Sequence, residues 1–530
     1  MIVLVGFMGA GKSTVGRLLA ERLGCDFADT DALIEARAGA PVKDIFSCAG
    51  EDAFRALERD VVAEALMGGS GVVALGGGAL GDAATRAALA EARVVHLEVS
   101  IEEALRRLGS DESRPLLAAD PAGLYAARLG VYAAAADIVV GTDERGPEEV
   151  AAEVAGKVRP LPEPRRIPVP LPGRAHEVVV GRGLIARIDG LLPPIEGAEK
   201  AVIVTHASLK CVAADVATAV ARRGLATLVT EVPEGEGSKS LASAEHLYDV
   251  LAEAGAHRRD LVVSVGGGVL SDLSGFVAAT YHRGMPVVHV PTTLLAQVDA
   301  AIGGKTGVNT PHGKNLVGAI HQPAAVVCDI DVLKGLPQEE LVSGLAEVCK
   351  YGFIAAPDLL ELLDKRGPDI LQRDPELLEE IVATCVAIKA SVVARDERES
   401  GERAHLNYGH TFGHAIEHLS GIKSLVPTSA EPLRHGEAIS LGMICAACLA
   451  SELGLLDDDD VALHRRLLGS LGLPVNAELS IGELEDIWRH DKKYDGAARF
   501  VVLEGLGRPR SGVAAPSPVL ERALARVAIA

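Results

Sequence analysis

A glycine-rich segment near the start of the chain has the residue types that bind nucleotide phosphates. Residues 6–14 read Gly-Phe-Met-Gly-Ala-Gly-Lys-Ser-Thr and match the pattern GxxxxGK[ST]. In this pattern the glycine N–H groups converge on phosphate oxygens, the lysine reaches the β- and γ-phosphates, and the next hydroxyl ligates Mg²⁺. A turn that only joins a strand to a helix is the alternative, which the full match disfavours. The predicted nucleotide contacts are Gly9, Gly11, Lys12, Ser13 and Thr14.

Histidines and a glutamate in the second half could hold a metal ion. Zinc takes nitrogen and oxygen ligands and keeps one position open in catalytic sites. His410 and His414 are four residues apart, which places them on one face of a helix. His435 lies at a predicted loop-to-helix junction, and Glu347 supplies a carboxylate. These four residues form a possible metal set, and histidines satisfied within a helical core are the alternative.

Two further glycine-rich regions could bind anions. Residues 266–268 are three glycines between a strong strand pattern and a helix that carries Asp272, which suits close backbone approach to a diphosphate. The segment is not the GxGxxG fingerprint, so we do not expect a standard Rossmann site. Lys305 and Lys314 lie within other glycine-rich segments and suit an anionic substrate. Exposed turns with ordinary surface lysines are the alternative there.

The elements that must position these residues are those of an α/β protein. Strand-like apolar runs at 3–5, 72–75 and 94–97 alternate with helical patterns, which is typical of a parallel sheet with crossover helices. Similar runs follow at 201–205 and 260–265, and the later part of the chain is mostly helical in pattern. We predict the α/β class.

A change in composition separates the two halves. Residues 159–166 read Arg-Pro-Leu-Pro-Glu-Pro-Arg-Arg. Prolines at this density exclude a helix or a central strand, so we predict a semi-rigid linker. The predicted boundaries are 1–155 for the first domain, 156–174 for the linker, 175–335 for an α/β lobe and 336–530 for a mainly helical lobe.

Composition and charge indicate which binding partners and which cellular compartment to expect. The 530-residue chain has a net charge of −21. Its surface therefore repels nucleic acid and anionic membranes, and anionic substrates need local clusters of Arg and Lys. The N-terminus lacks a signal-peptide pattern, and the eight cysteines show no disulfide framework. Cys445 and Cys448 lie in an apolar run, 439–456, that we interpret as a core helix and not a membrane span. We expect a cytoplasmic protein.

The first half adds five motifs to its phosphate loop. They are Asp29-Thr30-Asp31, Phe54-Arg55 with Glu58, Gly76-Gly77-Gly78, Arg114-Pro115-Leu116-Leu117, and Arg128 with Tyr132. In this order they resemble shikimate kinase across residues 1–150.

This resemblance implies transfer of a phosphoryl group from Mg²⁺-bound ATP to shikimate. Asp31 would hold and polarise the accepting hydroxyl, and Asp29 would reach Mg²⁺ through a water. Arg55 and Arg128 would bind the substrate carboxylate, because a planar guanidinium matches a planar anion. A nucleotide-binding sensor module is the alternative. The remaining implied contacts are Gly77 and Gly78 with the substrate, and Arg114, in a lid, with the transferring phosphate.

The second half contains a longer ordered set of motifs. They include Gly-Gly-Gly-Val-Leu-Ser-Asp at 266–272, Tyr-His-Arg-Gly at 281–284, Pro-Thr-Thr-Leu-Leu at 291–295, Gly-Gly-Lys-Thr at 303–306, Gly-Leu-Ala-Glu at 344–347, Asn-Tyr-Gly-His-Thr-Phe-Gly-His at 407–414 and His-Gly-Glu at 435–437. From about residue 175 to the end they resemble 3-dehydroquinate synthase. The implied fold is a P-loop kinase domain, with a parallel sheet and flanking helices, followed by a two-lobed synthase. That synthase has an α/β NAD-binding lobe and an α-helical metal-binding lobe.

The same resemblance implies a set of site residues. It makes Glu347, His410 and His435 the ligands of one zinc or cobalt ion, with His414 as a nearby catalytic residue. The implied substrate and catalytic residues are Arg283, Asp299, Lys305, Lys314, Asn315, Lys350, Lys389, Arg403, Asn407, Lys492 and Lys493. The implied NAD-side residues are Glu236, Lys239, Gly267, Gly268, Asp272, Thr292 and Thr293, together with Lys305 and Lys314.

The reaction implied for the second half is conversion of the phosphorylated keto acid DAHP to 3-dehydroquinate. NAD⁺ removes a hydride and NADH returns it, and phosphate leaves between these steps. A different sugar-phosphate cyclase or a metal-dependent alcohol dehydrogenase is the alternative. Lys-Gly-Leu at 334–336 stands where relatives often place a threonine, which predicts a change in NAD affinity. The resemblance also implies a homodimer through the second half, with ATP, shikimate and DAHP as the small-molecule partners.

Overall fold

The computed structural model describes residues 1–67, 71–89, 92–108, 120–158, 163–420, 432–489 and 497–528. The chain divides into two units, Met1–Pro160 and Leu161–Ala530, and each contains its own main sheet. The predictions for Arg114, Lys492 and Lys493 lie outside the described residues.

The first unit is built on five parallel strands. They are β1 (Ile2–Val5), β2 (Phe27–Asp29), β3 (Val72–Ala74), β4 (Arg93–Glu98) and β5 (Ile138–Gly141), and their order in the sheet is β2-β3-β1-β4-β5. Its helices are α1 (Lys12–Leu23), α2 (Thr30–Ala38), α3 (Val42–Met67, kinked at Gly50), α4 (Ala83–Ala88), α5 (Ile101–Leu108), α6 (Pro121–Ala135) and α7 (Pro147–Val158). The three strands predicted here are confirmed. Because the strands are parallel, their carboxyl ends meet at one edge, where ligands bind in such sheets.

The predicted linker at 156–174 is wrong at both ends. Helix α7 continues to Val158, and Arg165–Val169 form strand β6, which pairs antiparallel with β7 (His176–Gly181). Pro168 is tolerated because β6 lies at the edge of its sheet, where a missing N–H on the outer side costs no ladder bond. The proline-rich core of the segment, 159–162, lies outside the described residues.

The second unit begins with a seven-stranded sheet of order β6-β7-β14-β11-β10-β8-β9, in which only β6 is antiparallel. The further strands are β8 (Lys200–Thr205), β9 (Ala226–Glu231), β10 (Leu261–Gly266), β11 (Val287–Pro291) and β14 (Ala325–Asp329), and helices α8 (Lys210–Ala221), α9 (Leu241–Glu253) and α10 (Gly268–Thr280) connect them. A separate hairpin is formed by β12 (Lys305–Thr310) and β13 (Gly313–Ile320). Strands β10, β11 and β14 are buried along their whole length, as expected for parallel strands covered on both faces.

From residue 338 the second unit is mainly helical, as predicted. Its helices are α11 (Gln338–Ala355), α12 (Pro357–Leu371), α13 (Pro375–Arg395), α14 (His410–Ser420), α15 (His435–Glu452), α16 (Asp458–Ser470), α17 (Ile481–Trp488) and α18 (Ser517–Ala525). A small antiparallel hairpin, β15 (Phe500–Leu503) with β16 (Pro509–Val513), lies among them. Each unit buries its own apolar clusters.

Helix α15 forms the centre of the helical lobe and is buried on all sides from Ala438 to Ala450. Cys445 and Cys448 are fully buried there, so the core-helix interpretation holds. All eight cysteines of the chain are unpaired. Among the described residues, every helix is too short or too polar to cross a membrane.

Candidate active sites

The phosphate loop joins β1 to α1 in the first unit. Gly9 and Gly11 have φ angles of 81° and 85°, and a side chain on Gly9 would approach the carbonyl oxygen of Ala104 to 2.9 Å. The loop therefore requires glycine at this position. Arg107 supports the loop, because its Nη1 donates to the Gly9 carbonyl at 3.2 Å and its Nη2 to the Thr142 carbonyl at 2.5 Å.

The predicted nucleotide-binding side chains begin helix α1. Lys12, Ser13 and Thr14 form its first turn, where N–H groups without an intrahelical partner favour anions. The Lys12 ammonium donates to the carbonyl oxygens of Gly6 at 2.9 Å and Phe7 at 3.2 Å. The geometry is thus that of a phosphate cradle with its cation held at the loop.

The acceptor side lies at the carboxyl ends of β2 and β3. Asp29 caps α2, and its Oδ1 accepts the N–H of Asp31 at 3.0 Å. Thr30 joins the two strand ends, since its Oγ1 donates to the Ala74 carbonyl at 3.2 Å and accepts the N–H of Gly76 at 2.9 Å. A side chain on Gly76 would come within 2.5 Å of Asp31 Oδ1, so the Asp31 carboxylate packs directly against glycine backbone.

A cavity of about 450 Å³ lies next to this glycine segment. Its lining includes Arg55, Gly77, Gly78, Arg128 and Tyr132. Tyr132 donates its hydroxyl to the Gly77 carbonyl at 2.6 Å, and burial raises the pKa of this phenol. A side chain on Gly78 would meet Arg55 Nη1 at 2.4 Å. The structure thus brings both predicted carboxylate-binding arginines and both glycines to one cavity.

Glu58, Arg59 and Asp82 also line this cavity, and the sequence assigned no role to these charged residues. Glu58 accepts a hydrogen bond from Arg55 Nη1 at 2.5 Å, which fixes the guanidinium. Burial raises the pKa of Glu58, although Arg55 acts against this. Arg59 adds another cation to the lining. Glu58 belongs to one of the sequence motifs, so its place near the site could have been predicted. The spacing of Arg59 did not distinguish it from an arginine on the surface.

Three helices assemble the candidate metal centre of the second unit. Glu347 lies in α11, while His410 and His435 are the first residues of α14 and α15. Each histidine Nε2 lies 3.5 Å from Glu347 Oε1, and one ligand atom from each residue lies within 4.8 Å of the others. Glu347 is 1% exposed, and its Oε1 accepts no hydrogen bond of normal geometry from the described residues. A buried carboxylate oxygen that lacks such a bond and faces two imidazoles is suited to binding a divalent cation.

Close helix packing sets these positions. A side chain on Gly436 would lie 1.9 Å from the Ser343 carbonyl oxygen, so the start of α15 rests on α11. A side chain on Gly442 would lie 2.1 Å from the Gly409 carbonyl oxygen, so α15 also rests on the start of α14. These glycines allow the three ligand-bearing segments to converge.

Hydrogen bonds orient both imidazoles. His410 Nδ1 lies 3.1 Å from the Tyr408 carbonyl oxygen, and His435 Nδ1 lies 3.5 Å from Glu417 Oε2. Both Nε2 atoms are thereby directed at Glu347. Burial lowers the pKa of His410 to about 3. Burial also disfavours charge on His435, but its contacts with Glu347 and Glu417 raise its pKa to about 9.

His414 lies beside the metal group without belonging to it. Its ring centroid is 5.3 Å from that of His410 and 6.1 Å from that of His435, and its side chain is exposed. Of the four residues considered from spacing, Glu347, His410 and His435 form the group that could hold a metal ion, and His414 is an accessible neighbour.

Two buried lysines border the metal group. Lys350 is 1% exposed, pairs with Glu347 and lies 3.8 Å from Asp299 Oδ1. Lys389 donates to the same Oδ1 at 2.8 Å, and the Tyr351 hydroxyl donates to it at 3.0 Å. Burial lowers the pKa of Lys389 to about 8 although Asp299 opposes this. Burial acts to raise the pKa of Asp299, but the two lysines hold it well below its usual range.

A second group of predicted substrate residues surrounds Glu399, which sequence reasoning missed. Glu399 forms an ion pair with Lys305 and accepts from Asn407 Nδ2 at 2.5 Å. Arg403 is 2% exposed and donates from Nη2 to the Gly303 carbonyl at 3.1 Å. Lys305 and Asn407 are thus joined by one carboxylate, and Arg403 is bound to the neighbouring Gly303.

The β12–β13 hairpin carries further predicted contacts. Lys314 Nζ donates to Glu417 Oε1 at 2.9 Å, and Glu417 was also missed from the sequence. The N–H of Asn315, a residue with φ of 56°, donates to Asn309 Oδ1 at 3.0 Å. Arg283 lies in the turn after α10 and forms no hydrogen bond with this group within the part of the chain that the structure describes.

The predicted NAD contacts lie near the carboxyl ends of β10 and β11. Lys239 is 5% exposed and forms an ion pair with Asp272 of α10. Burial raises the pKa of Asp272, although Lys239 opposes this. A side chain on Gly267 would lie 3.2 Å from Thr293 Cγ2, and the neighbouring Thr292 is buried. The glycine turn and both threonines therefore lie together at the carboxyl ends of β10 and β11.

The remaining residues predicted for NAD differ in their surroundings. Glu236 Oε1 accepts from Asn309 Nδ2 at 2.7 Å, which links it to the hairpin. A side chain on Gly268 would meet Ala300 Cβ at 2.9 Å. A side chain on Gly335 would meet nothing within 4 Å. The structure therefore has space for a larger residue, such as threonine, in the Lys-Gly-Leu segment at 334–336.

The first unit combines a phosphate loop with a cavity lined by arginines, and the second unit has a histidine–carboxylate group bordered by lysines. These are the features of two enzyme sites, one of the kinase type and one of the metal-dependent type. The family model of shikimate kinase matches residues 8–159. The models of the N-terminal and C-terminal parts of 3-dehydroquinate synthase match residues 229–343 and 344–494.

Relatives and solved structures agree with these matches. The 3-dehydroquinate synthase of Arthrobacter sp. (strain FB24) is 44% identical over 336 residues, which are 63% of this chain and 90% of the relative. A structure of 2-deoxy-scyllo-inosose synthase with carbaglucose-6-phosphate, NAD⁺ and Co²⁺ has a TM-score of 0.61 at 25% identity, and covers 69% of this chain and 100% of that chain. The 2-epi-5-epi-valiolone synthase of Streptomyces hygroscopicus subsp. jinggangensis 5008, with NAD⁺ and Zn²⁺, has a TM-score of 0.58 at 25% identity over 66% of this chain and 96% of that chain.

The chain belongs to the 3-dehydroquinate synthase family and carries a shikimate kinase domain in front of the synthase. It is a bifunctional enzyme of the shikimate pathway, so the fold class and both resemblances are confirmed.

Proposed function

We propose that the first unit phosphorylates shikimate to shikimate 3-phosphate with ATP, and that the second unit converts DAHP to 3-dehydroquinate with release of phosphate. The observation that carries the second assignment is the convergence of Glu347, His410 and His435 next to buried lysines. A metal group alone suits many reactions, whereas adjoining cations select a substrate with anionic groups.

In the first unit, the phosphate loop would bind ATP with Mg²⁺ on Ser13 and, through a water, near Asp29. Lys12 would leave the loop carbonyls for the β- and γ-phosphates. Asp31 would orient the accepting hydroxyl, while Arg55 and Arg128 bind the substrate carboxylate across the cavity. Thr14, Gly77 and Gly78 would complete the contacts, with Arg114 on the transferring phosphate. Catalysis of this kind depends mainly on positioning and charge neutralisation.

In the second unit, Glu347, His410 and His435 would hold one zinc or cobalt ion, and the edge of β10 would hold NAD. When bound, the ion supplies Lewis acidity at a carbinol oxygen and NAD⁺ supplies a reversible hydride acceptor. Asp299 would keep Lys350 and Lys389 directed at the substrate.

The other residues of this unit would bind and orient the two ligands. His414 is accessible beside the metal group and would exchange protons with the substrate. The proposed substrate contacts are Arg283, Lys305, Lys314, Asn315, Arg403, Asn407, Lys492 and Lys493. The proposed NAD contacts are Glu236, Lys239, Gly267, Gly268, Asp272, Thr292 and Thr293.

We further propose a homodimer that forms through the second unit and functions in the cytoplasm. The hairpin strand β13 exposes Leu316, Val317 and Ile320 at 47%, 38% and 42%, and a row of apolar side chains of this kind supports burial against another chain. The unpaired state of all eight cysteines supports a reducing compartment.

A paired assay of the purified full-length protein tests both activities. With ATP, Mg²⁺ and shikimate we expect stoichiometric ADP and shikimate 3-phosphate. With DAHP, Co²⁺ and a trace of NAD⁺ we expect phosphate release without accumulation of NADH, because the hydride returns to the substrate. Net NADH without phosphate would identify a dehydrogenase, and ATP binding without turnover of shikimate would identify a sensor module.

A further inference from the structure

One carboxylate in the helical lobe contacts both a metal ligand and a substrate-side cation. Glu417 lies in α14, seven residues after His410 and hence on the same helical face. Its Oε1 accepts from Lys314 Nζ at 2.9 Å, and its Oε2 lies 3.5 Å from His435 Nδ1. Its side chain is 23% exposed, so the carboxylate is shielded from water but not sealed.

The His435 contact bears on metal binding. Because His435 Nε2 faces Glu347, its Nδ1 is the atom left to fix the ring. A carboxylate that accepts the Nδ1 proton holds the tautomer with a lone pair on Nε2 and makes that nitrogen a stronger ligand. His410 obtains the same orientation from the Tyr408 backbone carbonyl, which no side-chain substitution removes. Of the two histidines, only His435 is therefore oriented by a side chain, that of Glu417, which a substitution can remove.

The Lys314 contact bears on the substrate. Lys314 lies on β13, which pairs with β12 in a two-stranded sheet and not with the main sheet. Its side chain is 59% exposed, so the ion pair adds little to stability. The pair nevertheless directs the ammonium toward the metal group, whereas a long lysine side chain at an exposed position would otherwise sample many rotamers.

We propose that Glu417 is a positioning residue that joins the metal ligand His435 to the anion-binding Lys314, so that one carboxylate sets both metal affinity and the position of a substrate cation. This inference rests on the proposed synthase function. It adds a group that binds neither the metal nor the substrate directly, and acts through two residues that do.

The test uses the full-length protein and five variants: E417Q, E417D, K314M, the double variant E417Q/K314M, and E361Q as a matched control. Glu361 is exposed in α12 and ion-paired with Lys365, so E361Q removes the same charge away from the site. Metal binding and steady-state kinetics are measured on each protein. Co²⁺ affinity and the d–d absorption of bound Co²⁺ come from competition with a chelator, and KM and kcat come from phosphate release with DAHP.

For metal binding, we expect E417Q to bind Co²⁺ about 10- to 100-fold more weakly than wild type, with a shifted d–d band, since outer partners of metal ligands contribute effects of that size. K314M should bind Co²⁺ within about twofold of wild type, as should E361Q. A wild-type affinity and spectrum in E417Q would overturn the inference. Failure of the wild-type protein itself to bind Co²⁺ would instead contradict the proposed metal site.

For substrate binding, K314M should raise the KM for DAHP about tenfold in the wild-type background and less than about threefold in the E417Q background, because residues that act as a unit are not additive. Additive changes in KM would overturn the link between the two residues. E417D keeps the charge with a shorter reach, and we expect Co²⁺ binding between those of wild type and E417Q. If E417Q does not fold, E417D with unchanged Co²⁺ binding and KM overturns the inference.

Discussion

The first unit presents arginines to an open cavity, whereas the second unit buries lysines against carboxylates. Arg55 keeps a quarter of its side chain exposed and lines a cavity next to glycine backbone. Lys350 and Lys389 have side chains that are 1% and 6% exposed, and both contact Asp299. Cations at both sites are paired, Arg55 with Glu58 and the lysines with Asp299, but the guanidinium of Arg55 lines an open cavity whereas the lysines are enclosed.

The difference has a physical consequence. The partly exposed guanidinium groups of the first site keep more of their hydration than the buried lysines do, so removing one should change binding more than stability. Buried ion pairs have lost that hydration, and removal of one partner leaves an uncompensated charge in the interior. We therefore expect the second unit to be more sensitive to single charge changes than the first.

The largest expected effect is selective loss of one activity. K12A should lower kinase kcat by about 1000-fold, the size associated with losing one charge that stabilises the transferring phosphoryl group. E347Q should weaken metal retention by more than the roughly 100-fold lost with an outer partner, and synthase activity should fall with it. Each variant should leave the other reaction unchanged, because each unit contains its own sheet and core. Parallel loss of both activities in either variant would contradict independent sites.

A smaller effect concerns stability. D299N removes the charge that faces two buried lysines, so the free energy of unfolding of the second unit should fall by about 3–5 kcal/mol. Urea titration followed by tryptophan fluorescence measures this unit, because Trp488 is the single tryptophan of the chain and is buried in α17. D364N is the control: Asp364 pairs with Arg466 at the surface, and its change should stay below about 1 kcal/mol. Equal effects in the two variants would contradict the idea that the buried lysine–carboxylate group makes the second unit sensitive to charge changes.

The smallest effect is a dependence on pH. The pKa of Lys389 is lowered to about 8, so its ammonium is lost as pH rises through that value, and synthase kcat/KM should fall about tenfold per pH unit above it. The unfolded chain holds this proton to about pH 10. Between about pH 8 and pH 10 the unfolded state therefore binds more protons than the folded state. Because of this difference, the contribution of Lys389 to the stability of the unit increases as pH rises.

The measurement for this effect is a pair of pH profiles for each reaction. K389R should lack the fall above pH 8 because arginine stays charged, and the KM for shikimate should not change in that range since arginines bind it. Superimposable synthase profiles for wild type and K389R would show that Lys389 carries no required charge.

Much of this organisation could be predicted from the residues. Apolar runs identified the buried parallel strands, and the ordered motifs identified Glu347, His410 and His435, which lie in three different helices. Spacing alone left His414 as a fourth candidate, because a shared helical face does not by itself bring a side chain into the group of Glu347, His410 and His435. The packing of α11, α14 and α15 sets which histidine side chains approach Glu347, and this packing is a tertiary property.

The carboxylates that organise the second site could not be predicted in the same way. Glu399 and Glu417 are two of 73 acidic residues, and their roles depend on cations about 100 residues distant in the chain. Strand β6 was missed for a different reason. Its proline argues against a strand in general, and only its place at the sheet edge, a tertiary fact, makes that residue acceptable.

The position of β6 determines where the two enzymes can be separated as individual polypeptides. A division ahead of Arg165 leaves the seven-stranded sheet complete, while a division at the predicted linker end, residue 174, removes its outermost strand. Truncation at 174 would leave the outer edge of β7 with unpaired N–H and C=O groups, and such an exposed strand edge promotes aggregation. Expression of the synthase half alone therefore has to begin within the proline-rich stretch and not after it.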